Sequence, residues 1–409
     1  MGDATPPHAT AITTNPTNDA TAPHATTVAV AASPRMSGAT TPRATTVAVV
    51  AAFALVGGGT VAHAAAAPQS AGTVLSATPL PPALWIPGTG RAYRVTYLSP
   101  GPSGRLLPTT GAIFIPKGAR EDRPVVSWAH GTVGLGDSCA PSSAGRSQRD
   151  LTYLAHWMSQ GYAVVSTDYS GLGGPGVHPY LDGRTAGRNV TDMVRAARRV
   201  DRSLSRRWVA IGQSQGGHAA LVTASLATRY APDLDFRGAV ATGAPSNLAA
   251  VFSLAGPYLP RIPFAATYTT YLLAGLKAAR PGFDVDRYLT AEGRAAVRDA
   301  ETLCYADQTR RMAGLSIADL LSRTLLDPAF RSTAKDVTDV PVKGYDRPLF
   351  IAQGTRDTDV PLPLSWKLVG DLTAHGVRHV YRVYPGSDHS ATMAASLPDT
   401  TPFVARLFR

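Results

Sequence analysis

The stretch Trp208-Val209-Ala210-Ile211-Gly212-Gln213-Ser214-Gln215-Gly216-Gly217-His218-Ala219-Ala220-Leu221 decides how the chain is read. Its first four apolar residues predict a buried strand, and the alanine-rich run after Gly217 predicts a helix. Between them Ser214 sits in a G-x-S-x-G frame made by Gly212 and Gly216. A serine on a sharp strand-to-helix turn projects its hydroxyl clear of the sheet. Residues two positions to either side pass too close to other backbone to carry a side chain. The first helical turn adds unpaired N–H groups that favour a developing negative charge. Ser214 is therefore the candidate nucleophile. The bare frame recurs by chance in a glycine-rich chain; the flanking strand and helix give it weight.

Outward from this unit, Ala92 to Ser99 alternates like a strand and Gly111 to Pro116 reads as its partner. Pro124 to Ala129, Ala163 to Asp168 and Gly238 to Thr242 read as buried strands, and Gln148 to Gln160 as a helix ended by Gly161. Asn189 to Val200 carries apolar residues at a helical period, with Asn189 as its expected cap. Buried strands alternating with helices predict an α/β fold, a mostly parallel sheet covered on both faces. From about Asn247 the pattern turns helical for roughly a hundred residues. There Phe264, Tyr268, Tyr271, Leu272 and Leu276 share one helix face, and Ser316-Ile317-Ala318-Asp319 opens a further helix with a capping-box start. Strands resume at Pro348 to Ala352 and His379 to Tyr384. The expected organisation is a sheet-bearing core over 65–246 and 346–409, with 247–345 as a helical lid packed over it. A separate helical domain with no gating role is the alternative.

The chain has 409 residues, 44% hydrophobic and only 16% charged, which suits a core-forming protein. In the leader Asp3, Asp19, Arg35 and Arg43 cancel, so the net charge of +11 belongs to the remainder. Its basic residues are scattered in small groups such as Arg198-Arg199. They read as solvated surface, and no nucleic-acid motif accompanies them. Residues 1–35 are a low-complexity Ala/Thr/Pro stretch. Residues 36–64 read as a secretory signal peptide: Arg43, the apolar run Thr45 to Val56, then Ala62-His63-Ala64, with cleavage expected after Ala64 and Met36 as the expected start. A membrane anchor is the rival reading, but the run falls short of the roughly 20 residues that a span needs. In a secreted chain the two cysteines, Cys139 and Cys304, suggest a disulfide, with two buried free thiols as the alternative. Closing that loop stabilises by about 4–5 kcal/mol in the chain-entropy view. Two cysteines without paired spacing make no metal site.

A serine nucleophile needs a base, an orienting acid and an oxyanion hole. Asp357 lies just past a strand end in Gly354-Thr355-Arg356-Asp357-Thr358-Asp359-Val360-Pro361, with Asp359 as the competing acid. His389, in Pro385-Gly386-Ser387-Asp388-His389-Ser390, follows the last strand and is the candidate base. His218 is expected to pack, and Asp388 to start a helix. The backbone N–H groups of Thr132, after His130-Gly131, and of Gln215 are the expected oxyanion donors. This chemistry calls for no metal or organic cofactor.

The ordered set His130-Gly131-Thr132-Val133-Gly134, Cys139-Ala140-Pro141-Ser142, Asp168-Tyr169-Ser170-Gly171-Leu172-Gly173, Gly212-Gln213-Ser214-Gln215-Gly216-Gly217 and Gly354-x-x-Asp357-x-x-Val360-Pro361 resembles the secretory lipase family of α/β-hydrolases, to which fungal lipase A-type enzymes and bacterial secreted lipases belong. The resemblance spans nearly all of residues 80–409. It implies a Ser214–Asp357–His389 triad, a helical lid over an acyl pocket, and hydrolysis of lipid esters by a secreted enzyme, with a lipid–water interface as a candidate partner. The rival readings are a short-chain or polymer esterase or a peptidase on the same fold, and a catalytically dead secreted binding protein.

Overall fold

A computed structural model describes residues 69–259, 261, 262 and 264–409. The expectations for residues 1–64, including the signal peptide and its cleavage site, lie outside the described residues.

The sheet contains β1 (Val74–Pro79), β2 (Thr89–Pro100), β3 (Leu106–Pro116), β4 (Arg123–Ala129), β5 (Ala163–Thr167), β6 (Leu204–Gln213), β7 (Asp235–Thr242), β8 (Leu349–Gly354) and β9 (His379–Tyr384). Their spatial order is β1-β2-β3-β5-β4-β6-β7-β8-β9, antiparallel from β1 through the β3–β5 pair and parallel from there on. The helices are α1 (Pro141–Ala144), α2 (Gln148–Ser159), α3 (Gly183–Val200), α4 (Gln215–Tyr230), α5 (Leu248–Phe252), α6 (Ala265–Ala279), α7 (Ala291–Ala300), α8 (Tyr305–Arg311), α9 (Ile317–Leu320), α10 (Pro328–Thr338), α11 (Leu362–Ala374), α12 (Ala391–Ala395) and α13 (Leu397–Leu407).

Strand periodicity divides the core in two. On β6, Trp208 and Ala210 point to the layer of α3, α4 and α11, while Val209 and Ile211 point to the layer of α2, α12 and α13. Both layers are built from buried apolar side chains, and each large one contributes about 1.5–3 kcal/mol. Helices α5 to α10 lie between β7 and β8 in sequence and gather a core of their own around Tyr271, Leu272, Leu276, Tyr288 and Phe330. Within the expected shared face, Tyr271, Leu272 and Leu276 are buried, whereas Phe264 stands outside α6 at its N-cap, half exposed.

Two features differ from the sequence reading. Helix α3 begins at Gly183, capped by Asp182, so Asn189 is a buried mid-helix residue and not the cap. Glycines hid this turn, because they lower helix propensity. They are there for contact: a Cβ on Gly187 would stand 3.1 Å from Leu226, and one on Gly183 would stand 2.8 Å from Val222. The edge strand β1 was not foreseen. It is mostly exposed, so it lacks the alternation that marks a half-buried strand. The capping box at Ser316 is present, but the helix it opens runs only from Ile317 to Leu320.

Candidate active site

Strand β6 lies between β4 and β7 and hands directly to α4 at Ser214. Ser214 sits at φ 56°, ψ −123°, a conformation that costs of order 1–3 kcal/mol and persists only where the surroundings impose it. Its N–H donates to Thr242 O at 2.9 Å. A Cβ on Gly212 would stand 2.0 Å from Gly216 O, and one on Gly216 would stand 1.8 Å from Ala129 O. Both glycines of the frame are therefore demanded by backbone packing.

Asp357 follows β8, and its buried carboxylate collects four donors. Oδ1 accepts from the N–H of Asp359 (3.1 Å) and of Val360 (2.8 Å), and Oδ2 from Gln353 Nε2 (2.9 Å) and His389 Nδ1 (2.8 Å). With its proton on Nδ1, His389 keeps Nε2 as the basic atom. That atom is buried and has no hydrogen-bond partner among the described residues. Ser214 Oγ is not bonded to it here; such contacts often close only when substrate binds. The Asp357–His389 pair packs against Gly243, the residue after Thr242, whose carbonyl accepts the Ser214 N–H. His389 Cε1 and Nδ1 lie 3.0 Å, and Asp357 Oδ2 3.2 Å, from where a Gly243 Cβ would stand. Sequence reasoning passed over Gly243, because space left for an imidazole has no local signature. Asp359, the competing acid, is instead 4.0 Å from His389 Nε2, on the opposite side of the ring from Asp357. Tyr268 of α6 donates to Asp359 Oδ2 at 3.4 Å.

His218 and Asp388 take the structural places expected of them. His218 is buried and donates from Nε2 to Thr338 O at 2.8 Å, and burial pushes its pKa down to about 4. Asp388 Oδ1 accepts from the N–H of Ser390 and of Ala391, at the turn into α12.

Thr132 lies just beyond β4, and Gln215 is the first residue of α4. The loop bearing Thr132 is strapped to the helical insert: Tyr305 N–H donates to Val133 O at 2.9 Å, Gly134 bridges Cys304, and Cys139 and Cys304 form a disulfide with Cα atoms 5.4 Å apart. Beside Ser214 opens a cavity of about 390 Å³. Its walls come from Tyr180, from Leu248, Phe252, Ile262, Phe264 and Tyr268 of the insert, and from Asp359 and Val360. A larger basic cleft at Arg91, Lys117 and Arg120 lies by the opposite end of the parallel strands and includes none of the candidate residues.

A serine on the sharp turn after a central parallel strand, with an acid and a histidine on later loops in that chain order, places the protein among the α/β-hydrolases. Residues 139–408 match the family model described as Secretory lipase, and the chain belongs to that family, a class of carboxylic ester hydrolases. It is similar to a Mycobacterium tuberculosis protein named probable inactive lipase MT1628, at 26% identity over 79% of this chain and 74% of that protein. It is equally similar, at 26% identity over 75% of this chain and 70% of the relative, to secreted triacylglycerol lipase LIP4 of Malassezia globosa. Among solved structures, Candida antarctica lipase A in its closed state superposes with a TM-score of 0.67, at 21% identity over 83% of each chain.

Proposed function

We infer that the protein is a secreted lipase in which Ser214, His389 and Asp357 act as nucleophile, base and orienting acid. His389 Nε2 takes the Ser214 proton as Oγ attacks an ester carbonyl. The N–H groups of Gln215 and Thr132 hold the oxyanion, and His389 then protonates the departing alcohol. Water repeats the steps on the acyl-enzyme and releases the acid. The observation that carries this reading is the 2.8 Å Asp357–His389 pair beside a strained Ser214, at the mouth of a mainly apolar cavity.

The substrate class follows from the rim. Val251, Leu254, Tyr258, Ile262 and Phe264 are large apolar residues exposed within fourteen positions, with Leu254 and Tyr258 more than 60% accessible. Three of them, Val251, Ile262 and Phe264, also line the cavity. An apolar rim continuous with an apolar pocket suits a lipid–water interface and an ester with a long acyl chain, such as the triacylglycerols named for the Malassezia relative. The family name and the leader's signal-peptide pattern support export.

The test is a series of p-nitrophenyl esters of rising chain length beside a triacylglycerol emulsion, with wild type and Ser214→Ala. Turnover that extends to long chains and emulsion, and vanishes in the variant, is expected. Activity confined to short esters would leave a short-chain or polymer esterase. The relative named as inactive gives the dead-enzyme reading a specific form. A fluorophosphonate probe that fails to label Ser214 in folded protein would establish it.

A further inference from the structure

The loop after β5 carries the Asp168-Tyr169-Ser170-Gly171-Leu172-Gly173 motif and ends at His178-Pro179-Tyr180, and nothing in the triad chemistry uses it. It is locked from several sides. Asp168 accepts from Thr110 Oγ1 (2.7 Å) and from Ser142 N–H (2.9 Å). Tyr169 donates its hydroxyl to His130 O at 3.0 Å, and Ser170 N–H donates to Asn189 Oδ1 at 2.9 Å. His178 stacks on Tyr169 with ring centroids 5.5 Å apart and meets Tyr180 edge-on.

From this platform two side chains reach the two oxyanion residues. His178 Nδ1 lies 3.0 Å from Ser170 O, and a carbonyl only accepts, so Nδ1 carries the proton. Nε2 is then an acceptor, and the Gln215 side-chain amide donates to it at 2.7 Å. All of these groups are buried. Burial pushes the His178 pKa down to about 4, so the ring stays neutral, and an acceptor, near neutral pH. Two residues on, the Tyr180 hydroxyl lies 2.7 Å from Thr132 Oγ1 and has no other hydrogen-bond partner among the described residues.

We propose that His178 and Tyr180 are positioning residues for the oxyanion hole, one fixing Gln215 at the start of α4 and the other fixing Thr132 after β4. The two oxyanion donors come from segments more than eighty residues apart in sequence, and this loop is the part that touches both. With the Tyr180 hydroxyl as donor, the Thr132 hydroxyl is free to turn toward the oxyanion beside its own N–H. The assignment rests on the nucleophile reading of Ser214 given above.

The experiment compares wild type with His178→Phe, His178→Gln and Tyr180→Phe on a soluble ester. It reads kcat and KM per fluorophosphonate-titrated site, and the inhibition constant of an alkylboronic acid that forms a tetrahedral serine adduct. His178→Phe removes the acceptor for Gln215. His178→Gln can restore it, because its carbonyl accepts from Gln215 while its amide donates to Ser170 O. Tyr180→Phe removes only a hydroxyl and so preserves the packing. Deleting a single oxyanion donor costs about a hundredfold to a thousandfold, and displacing one costs less. The expected result is a fall in kcat of about tenfold to a hundredfold for both phenylalanine variants. KM should stay within about twofold, boronate affinity should fall in step with kcat, and His178→Gln should recover most of the loss. An unchanged ratio of boronate affinity to KM, or no recovery with His178→Gln, would overturn the assignment. Ser214→Ala is the separating control: residual turnover there would remove the nucleophile reading itself, whatever the loop variants do.

Discussion

The elbow at Ser214 and the margin of the insert, from Leu248 to Leu259 with Ile262 and Phe264, face the same cavity and are built on opposite terms. At the elbow, two glycines are dictated by backbone at 2.0 Å or less, Ser214 is held at positive φ, and the acid opposite has every acceptor position filled. At the margin a five-residue helix, α5, is followed by large apolar side chains turned to solvent. One region leaves its sequence almost no freedom. The other can exchange apolar residues at little cost to folding. Chemistry that depends on sub-ångström placement belongs on the first, and recognition of a variable hydrocarbon chain on the second.

The sharpest test of that contrast is Ser214→Ala. Turnover should fall by about four to six orders of magnitude while the melting temperature stays within a degree or two. A variant with near-normal rates would leave the elbow without a chemical role. Next comes the pair Asp357→Asn and Asp359→Asn. The first removes the acceptor that fixes the His389 tautomer and should cost about 10⁴ in kcat. The second changes a group 4.0 Å from Nε2 that is held by one long bond from Tyr268, and should cost less than about tenfold in kcat. Equal losses would mean that both carboxylates orient the imidazole.

A third test concerns the seam between the elbow helix and the rest of the insert, because His218 is bonded to Thr338 at the end of α10. Burial pushes both His178 and His218 from 6.5 down to about 4, so the unfolded chain takes up these protons first. Stability should therefore fall as pH drops below about 6.5 and level off below about 4, by about 3 kcal/mol for each histidine at the acid end. His218→Phe should flatten that slope by one proton in denaturant titrations from pH 7 to 4. An unaltered slope would show that His218 does not titrate as a buried neutral group. The smallest effect belongs to the margin. Leu254→Ser with Tyr258→Ser should leave soluble-ester kinetics and stability nearly unchanged, within about 0.5 kcal/mol. Emulsion hydrolysis should fall by about threefold to tenfold. A loss on both substrates alike would make the margin part of the fold and not of interface binding.

What could be read from the sequence follows the same division. The strands other than β1, the elbow, the positions of Asp357 and His389 and the cysteine pair were legible because each has a local cause: alternation, a glycine frame, a position just past a strand end, an even count of cysteines. The α3 start at Gly183 was missed because its glycines serve a helix crossing. Gly243, His178 and Tyr180 were missed because their partners lie far away along the chain. The margin was read as lid from its place between strands, but its outward-facing apolar residues look, in sequence, like any other buried face.

The insert between β7 and β8 also orders events in time. Ser214 is translated more than a hundred residues before Asp357, and the imidazole arrives only after β9, which docks at the far edge against β8 alone. In the proposed mechanism a nascent chain therefore carries the nucleophile turn without its proton acceptor until residues beyond 384 have emerged. If the proposed function holds, a secreted lipase would stay inert toward the membrane it crosses for as long as its last strand is unpaired.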